Sequence, residues 1–338
     1  MRTDDFDYVL PPELIAQAPL PRGESRLMVL QRRSGAIALR RFADLPEYLF
    51  PGDVAVFNDT RVTARRLAAR REDGRPVEVL LIAPEGDADW AALVRPGRRA
   101  RSGDTLVLPI AGGQALGACV VGIRSDGARV LRLADAGARD RLAGAGAAPL
   151  PPYIHTRLED EERYQTVYAS AGGSAAAPTA GLHFTPEMLE ELRARGVRTA
   201  FVTLHVGVDT FRPVRTERVE DHAMHGEWHT VPEATARAVN AAEGRIVAIG
   251  TTVARALEAA ADEDGTVRPV TGVTRLFITP GYRFRAVDVL LTNLHLPRSS
   301  LLMLVSALGG REQVAACYQA AIEARFRFYS FGDAMLVA

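Results

Sequence analysis

Lysine is absent: all 41 basic side chains among the 338 residues are arginine. That excludes a lysine Schiff base or a lysine general base. Arginine keeps its proton near neutrality and offers a planar fork suited to phosphate and carboxylate. The chain is also rich in Ala, Gly and Pro, so genomic base composition explains the absence more simply than selection does. Cysteine is scarce. Cys119 and Cys317 lie far apart in apolar company and match no CxxC pattern, which excludes a disulfide framework or a zinc ribbon and makes both core residues. The longest near-continuous apolar stretch, Leu301 to Leu308, is far short of the ~20 residues of a membrane-spanning helix. Met1-Arg2-Thr3-Asp4-Asp5 runs straight into acidic residues, as no secretory signal does. A cytoplasmic protein is expected.

No charge sign is in excess either: 41 acidic side chains balance the 41 arginines. With 47% hydrophobic and 24% charged residues the chain reads as globular, and its length suggests about two domains at ~100–200 residues each. GxSxG, GxGxxG, GxxxxGKS and HExxH are all missing, which disfavours a serine hydrolase, the familiar nucleotide-phosphate loops and a zincin.

What is present falls into three textures. Up to about Asp59 there is a short helix candidate, Glu13 to Gln17, and two apolar strands, Leu27–Leu30 and Val54–Phe57. Short apolar runs then follow at Val77–Ala83, Trp90–Val94, Thr105–Pro109, Leu116–Ile123 and Val130–Leu133, between Gly- and Asp-rich turns. Such spacing predicts a small antiparallel sheet or barrel. Ala143 to Pro152 reads as a linker. Beyond it, helices and strands alternate: a helix from Pro186 to Arg195, a strand at Val197–Val206, a helix at Pro232–Glu243 and a strand at Ile246–Ile249. A helix at Thr252–Ala260, strands at Thr274–Ile278 and Val287–Thr292, helices at Leu301–Leu308 and Glu312–Arg327, and a last strand at Ala334–Val337 complete the series. The expected fold is an α/β domain with a mixed, largely parallel sheet, built from residues 1–60 and 149–338, plus an inserted small β-barrel domain at 61–148.

Six of the seven histidines lie between His183 and His295. In Asp221-His222-Ala223-Met224-His225-Gly226-Glu227-Trp228-His229, an extended backbone puts His225, Glu227 and His229 on one face. That trio, with His222, is a candidate metal set, although a strand lining a cleft displays the same pattern. Gly250-Thr251-Thr252 follows a strand and opens a helix, where ligands of open α/β sheets bind. The small residues of Ala177 to Gly181 lead toward another helix start, and Asn58-Asp59-Thr60-Arg61 closes a strand at the domain junction.

Taken in order, these segments resemble one family. They are Asp5-Phe6-Asp7-Tyr8, Pro12-Glu13-Leu14-Ile15-Ala16-Gln17, Phe57-Asn58-Asp59-Thr60-Arg61-Val62 and Glu162 to Ala169. Ala177 to Thr185, Leu204-His205-Val206-Gly207, His222-Ala223-Met224-His225, Gly250-Thr251-Thr252, Thr292 to Pro297 and Tyr329 to Leu336 continue the series. The chain resembles the S-adenosylmethionine:tRNA ribosyltransferase-isomerases of queuosine biosynthesis from end to end. The resemblance implies transfer of the ribosyl part of S-adenosylmethionine onto a 7-aminomethyl-7-deazaguanine in the wobble position of tRNA, giving epoxyqueuosine-tRNA, adenine and methionine. S-adenosylmethionine is then a consumed co-substrate and no metal is expected; a monomer is the expectation for the chain.

That chemistry asks for proton-transfer groups, for which His183, His205, His222, His225 and His295 are the candidates, with Asp59, Glu227 and Asp333 as carboxylates. Phe184, Tyr282 and Tyr329 are candidate aromatic walls for the sulfonium. Thr251, Thr252 and Arg255 are placed for the methionine carboxylate, and Asn58, Thr60, Arg61, Thr179, Gly181 and Asn293 complete the substrate-binding set. Residues 61–148 hold 15 Arg against 10 Asp and Glu, so Arg65, Arg66, Arg70, Arg71, Arg98, Arg99 and Arg101 are expected to grip tRNA phosphates. One departure stands out: the family usually carries Gly where this chain has Asp209. The alternatives are a metal-dependent hydrolase built on His222, His225, Glu227 and His229, or a non-catalytic tRNA-binding module.

Overall fold

The computed structural model describes residues 1–85, 89–110, 114–124, 127–134, 137, 141–142, 145–207, 210 and 213–338. Asp209 and the first two residues of the Ala143–Pro152 linker lie outside the described residues. The chain divides into two compact units, one of Met1–Thr60, Pro151–Ala171 and Ala177–Ala338, the other of Arg61–Leu150 with Gly172–Ala176.

The larger unit is organised by a sheet of nine strands. They are β1 (Arg26–Gln31), β2 (Ala36–Arg41), β3 (Val54–Asn58), β12 (Arg198–Leu204), β13 (Glu227–Val231), β14 (Ile246–Ile249), β15 (Val270–Thr274), β16 (Val289–Asn293) and β17 (Ala334–Val337). Their spatial order is β15-β13-β12-β3-β14-β16-β17-β1-β2. The block β12-β3-β14-β16 is parallel, as is the β17-β1 pair, whereas β15-β13, β13-β12, β16-β17 and β1-β2 are antiparallel. The sheet is thus mixed, with its parallel part in the middle. There β3, β14 and β16 are buried along their whole length, which is why their sequences read as unbroken apolar runs. The edge strand β2 is mostly exposed and ends in Arg40 and Arg41, charges that discourage pairing with another chain.

Five helices flank this sheet: α1 (Pro186–Ala194), α2 (Glu233–Asn240), α3 (Thr251–Ala260), α4 (Ser300–Gly309) and α5 (Arg311–Glu323). Local chemistry sets their starts. Thr185 caps α1 by accepting from the Met188 amide at 3.2 Å, with Pro186 at the first helical position. Ser299 does the same for α4 through the Leu302 amide at 3.1 Å. Phe42, Phe57, Phe184, Leu192, Val247 and Leu291 belong to the apolar core on the sheet.

The smaller unit is a closed six-stranded barrel, β10-β7-β6-β5-β8-β9, antiparallel throughout. Its strands are β5 (Arg65–Arg71), β6 (Pro76–Glu85), β7 (Asp89–Arg95), β8 (Thr105–Pro109), β9 (Ala115–Ile123) and β10 (Arg129–Leu133). Alternate residues such as Leu67, Val79, Ala92, Leu106, Val120 and Leu131 fill it. The short strands β4 (Thr60–Val62) and β11 (Ala171–Ser174) carry the chain across the boundary between the units.

The structure corrects three sequence expectations. Glu13–Gln17 forms only a single 3-10 turn, Pro12–Leu14, after which Ile15 bridges to Phe328; five residues give a helix too few backbone bonds to persist. The strand expected at Thr274–Ile278 lies earlier, at Val270–Thr274, because Trp228 and Val231 of β13 pair with Val273 and Val270. Arg65–Arg71 is a sixth barrel strand that its arginines conceal, since only Leu67 and Ala69 face inward.

Candidate active site

The carboxyl ends of the parallel strands β14 and β16, with Val206 just past β12, line a cleft holding about 600 Å³ of space, part of it open to solvent. Thr179, Thr251, Thr252, Asn293, His295 and Tyr329 line it, together with Tyr153, Thr210, Ser299 and Ser330. The first set comes from four segments singled out in the sequence. The second set was not named as candidates: Ser330 lies within the Tyr329 to Leu336 segment, Tyr153 sits just past a proline-rich linker, and Thr210 follows Asp209.

Gly250 makes the floor of this cleft possible. At φ 103° it adopts a conformation that L side chains rarely take, turning β14 directly into α3. The first turn of α3 has no side-chain cap, so the amides of Thr251 and Thr252 are presented at the cleft. Asn58 braces the same corner from the end of β3. It accepts from the Thr60 and Leu204 amides at 3.1 and 3.0 Å, and donates to the Leu204 carbonyl and to Thr252 Oγ1 at 3.0 and 3.3 Å.

Asn293 forms the opposite wall. Its carbonyl oxygen accepts from Thr179 Oγ1 at 3.0 Å, and its amide donates to His183 Nε2 at 3.2 Å and to the Tyr329 carbonyl at 3.3 Å. Because His183 Nε2 accepts, its Nδ1 carries the proton and donates to Ser25 Oγ at 2.9 Å. Full burial pushes the His183 pKa down to about 4, so the ring is neutral. It lies behind Asn293 and does not line the cleft. His295 does line it, with Nε2 2.6 Å from Thr292 Oγ1, and burial pushes its pKa down to about 3. Its backbone is held from both sides: the Tyr8 hydroxyl donates to its carbonyl, and its amide donates to the Tyr318 hydroxyl at 2.8 Å. Tyr329, at φ 71°, brings its ring 4.8 Å from that of Tyr153, whose hydroxyl lies 2.7 Å from Ser330 Oγ.

Glu227 and Arg255 form a buried ion pair. Glu227 Oε1 also accepts from Thr210 Oγ1 at 2.7 Å, the Gly207 amide at 3.1 Å and His225 Nε2 at 3.3 Å. Burial pulls the Arg255 pKa down to about 10, which leaves it charged at neutrality. This pair adjoins the cleft through a smaller cavity shared by Arg255, Thr251, Thr252 and Met224.

Several expected site residues are not among those lining this cleft. Phe184 is fully buried between Phe42 and Phe57, in the core and not a cleft wall. Asp333 accepts from the Arg26 amide and guanidinium and from the Arg327 amide, and so ties down the loop before β17. Tyr282 donates at 3.0 Å to Glu258, a buried carboxylate that also accepts the Arg285, Ala286 and Val287 amides; the Tyr282 pKa is pushed up to about 12, first by burial and then by that carboxylate. Gly181 is where it is because a Cβ would lie 2.0 Å from the Tyr168 hydroxyl. Asp59 accepts from Thr203 Oγ1 at 2.7 Å and Ser170 Oγ at 3.1 Å. His205 lies with Nδ1 2.8 Å from Thr60 Oγ1 and stacks on Trp228; burial lowers its pKa, against the pull of Asp59.

The candidate metal set is not assembled. Glu227 and His229 do share one face of β13, but His225 precedes the strand and His222 packs edge-on against Phe277. Among the described residues no group of three or more His, Cys, Asp and Glu side chains is placed to hold a metal ion. Arg61 belongs to the barrel unit. Of the barrel arginines, Arg70, Arg98 and Arg101 are exposed. Arg71 is paired with Asp104 at 3.1 Å, Arg66 reaches Glu78 and the Leu150 carbonyl, Arg99 donates to the Pro76 carbonyl, and Arg65 is half-buried on β5.

A family model described as "Queuosine biosynthesis protein" matches residues 3–337. The S-adenosylmethionine:tRNA ribosyltransferase-isomerase of Symbiobacterium thermophilum is 55% identical over 343 residues, and that of Moorella thermoacetica 50% over 344, each match covering 100% of both chains. Among solved structures, the S-adenosylmethionine tRNA ribosyltransferase of Thermotoga maritima matches with a TM-score of 0.56 and 38% identity, over 99% of this chain and 100% of that one. With nearly every residue matched and the large sheet and barrel both in place, the chain belongs to the queuosine biosynthesis protein family.

Proposed function

We propose that the protein is an S-adenosylmethionine:tRNA ribosyltransferase-isomerase. In this reading the ribosyl moiety of S-adenosylmethionine passes to the aminomethyl nitrogen of a 7-aminomethyl-7-deazaguanine in the wobble position of tRNA, with release of adenine and methionine. The observation that carries it is full-length identity to proteins of that name, combined with a cleft into which four of the family-like segments converge.

The cleft suits the donor. A carboxylate at the start of α3 would meet the Thr251 and Thr252 amides and the positive end of the helix dipole. Tyr153 and Tyr329 offer aromatic faces to a sulfonium, an attraction of about 0.5–2 kcal/mol. His295 is assigned proton transfer at the C5′ hydrogens that the sulfonium acidifies. It is the histidine that lines the cleft. Asn293, fixed by His183 and Thr179, is assigned to hold the ribose or adenine by hydrogen bonds. Arg255, already paired with Glu227, tunes the field at the helix start and is not counted as a free clamp. In the barrel, exposed Arg70, Arg98 and Arg101 are assigned to tRNA phosphates. A cytoplasmic setting goes with a tRNA substrate.

The test is incubation with labelled S-adenosylmethionine and tRNA bearing the deazaguanine precursor. Adenine and methionine release, matched by a mass increase on the tRNA, is the expected result. Absence of both, where a control enzyme turns over, overturns the reading.

A further inference from the structure

The sequence holds two tryptophans with opposite fates. Trp90 is buried in the barrel, whereas Trp228 on β13 is 39% exposed. The Trp228 ring is held in a defined orientation. The His205 ring lies parallel to it, 4.8 Å between centroids with an interplanar angle of 16°. His205 is itself fixed by Thr60 through Nδ1 and by its amide, which donates to the Trp228 carbonyl at 3.0 Å. Across the β13–β15 pair, Trp228 faces Val273, which is 56% exposed. Arg275 follows the end of β15, and its guanidinium comes near the Val273 side chain beside Gly226. Arg275 is exposed, and among the described residues no carboxylate lies within ion-pairing distance of it. Gly226 keeps the surface flat, since a Cβ there would lie 2.6 Å from Val273 Cγ1 and 3.5 Å from the Arg275 guanidinium carbon.

We propose that His205 and Trp228, with Val273 and Arg275 beside them, form a stacking platform for an unpaired nucleobase next to the nucleotide held in the cleft, with Arg275 taking the adjoining phosphate. The proposal rests on the tRNA-modifying reading above and extends it to how the RNA loop is held. Three observations favour RNA over a protein partner. The indole is partly exposed and is stacked on a second ring, the kind of aromatic pair on which an unpaired base can stack. The neighbouring charge is an unpaired cation, complementary to phosphate. Val206, the residue after His205, lines the cleft, and successive Cα atoms are ~3.8 Å apart, so the His205 backbone lies beside the cleft.

The experiment uses the full chain and a labelled anticodon-arm stem-loop RNA with ordinary guanosine at the wobble position, read by fluorescence anisotropy. Loss of one stacked base weakens binding roughly fivefold to a hundredfold. W228A is therefore expected to weaken RNA binding at least about fivefold, with S-adenosylmethionine binding unchanged, and W228F to stay near wild type. R275E is expected to weaken binding and to lower the salt slope by about one. RNA should quench wild-type tryptophan emission, because the exposed indole is the one covered. Unchanged RNA affinity in a folded W228A overturns the proposal, as does a W228A-sensitive dimer with unchanged RNA affinity, which would make the face a self-association surface. Should W228A fail to fold, the absence of wild-type quenching overturns it instead. None of these readouts requires turnover, so failure of adenine release would sink the enzymatic reading while leaving the platform to be judged on RNA affinity.

Discussion

Asn293 donates its side-chain amide to His183 Nε2 at 3.2 Å, and that bond decides which histidine nitrogen carries the proton. It makes His183 a support for the cleft wall and not a cleft residue. Gln in its place can still accept from Asn293, whereas Leu cannot. His183→Gln is expected to keep most of the wild-type kcat/KM, and His183→Leu to lose on the order of tenfold or more as Asn293 loses its partner. Steady-state adenine release measures both; equal rates in the two variants would remove the positioning role.

The pKa directions of His183 and His295 set a pH dependence of stability. Both folded values, about 4 and about 3, lie below the reference of ~6.5. The unfolded chain therefore binds protons first as the pH falls. The stability that these neutral rings contribute is complete above about pH 6.5 and is lost progressively toward pH 4 and below. Urea midpoints at about pH 7, 5.5 and 4.5 should fall for wild type and fall less steeply for His295→Asn; identical slopes would rule out this origin.

Arg255 and Glu227 are expected to behave as one unit. Removing either partner leaves a buried charge without compensation, a cost of about 3–5 kcal/mol. Arg255→Met and Glu227→Gln should each destabilise by that order, and the double variant by clearly less than their sum. Urea unfolding of the four proteins in the cycle measures the coupling. Additive losses would mean that the pair is not coupled.

Gly181 tests the fit of the turn that carries Thr179. A methyl group there would lie 2.0 Å from the Tyr168 hydroxyl and 2.8 Å from Thr166 Cγ2. Gly181→Ala should cost about 1–3 kcal/mol by overpacking and raise the KM for S-adenosylmethionine as Thr179 shifts. Thermal unfolding and substrate titration report the two effects separately.

The barrel arginines divide by what they touch. Reversing exposed Arg98 and Arg101 to Glu is expected to weaken tRNA binding and its salt dependence while leaving unfolding unchanged. Arg71→Gln should instead lower stability by about 1 kcal/mol, because Arg71 bonds Asp104 within the barrel. A salt slope unaffected by the double reversal would exclude those two positions from the tRNA surface.

Where the sequence was legible, one signal repeated along the element. The alternation of β6 and β8 and the buried runs of β3 and β14 could be read from apolar pattern alone. β5 was hidden because its outward face is arginine, and β2 because nearly all of it is solvent-exposed. In the cleft, Thr251, Asn293 and His295 stand at or just past the end of a strand, a position that the apolar pattern of the sequence marks. The contacts of Phe184, Asp333 and Tyr282 were not legible, since each partner lies across the fold: Phe42, Arg26 and Glu258. Tyr8 and Tyr318 carried no signal for a grip on the His295 backbone, because backbone groups look alike at every position.

The pairing of β17 with β1 joins Leu27 to Ala334 and Leu30 to Val337 in the interior of the sheet. Two strands from opposite ends of the chain are thus neighbours, and β17 is also the strand that connects β1 and β2 to the rest. The barrel, by contrast, draws its six strands from Arg65 to Leu133. Closing the longer loop costs more chain entropy before any contact rewards it. The expected order of assembly is that the barrel forms first on its own contacts and the sheet is sealed last, when β17 enters its slot. Pulse-labelled hydrogen exchange during refolding should find the amides of β5 to β10 protected before those of β1 and β17.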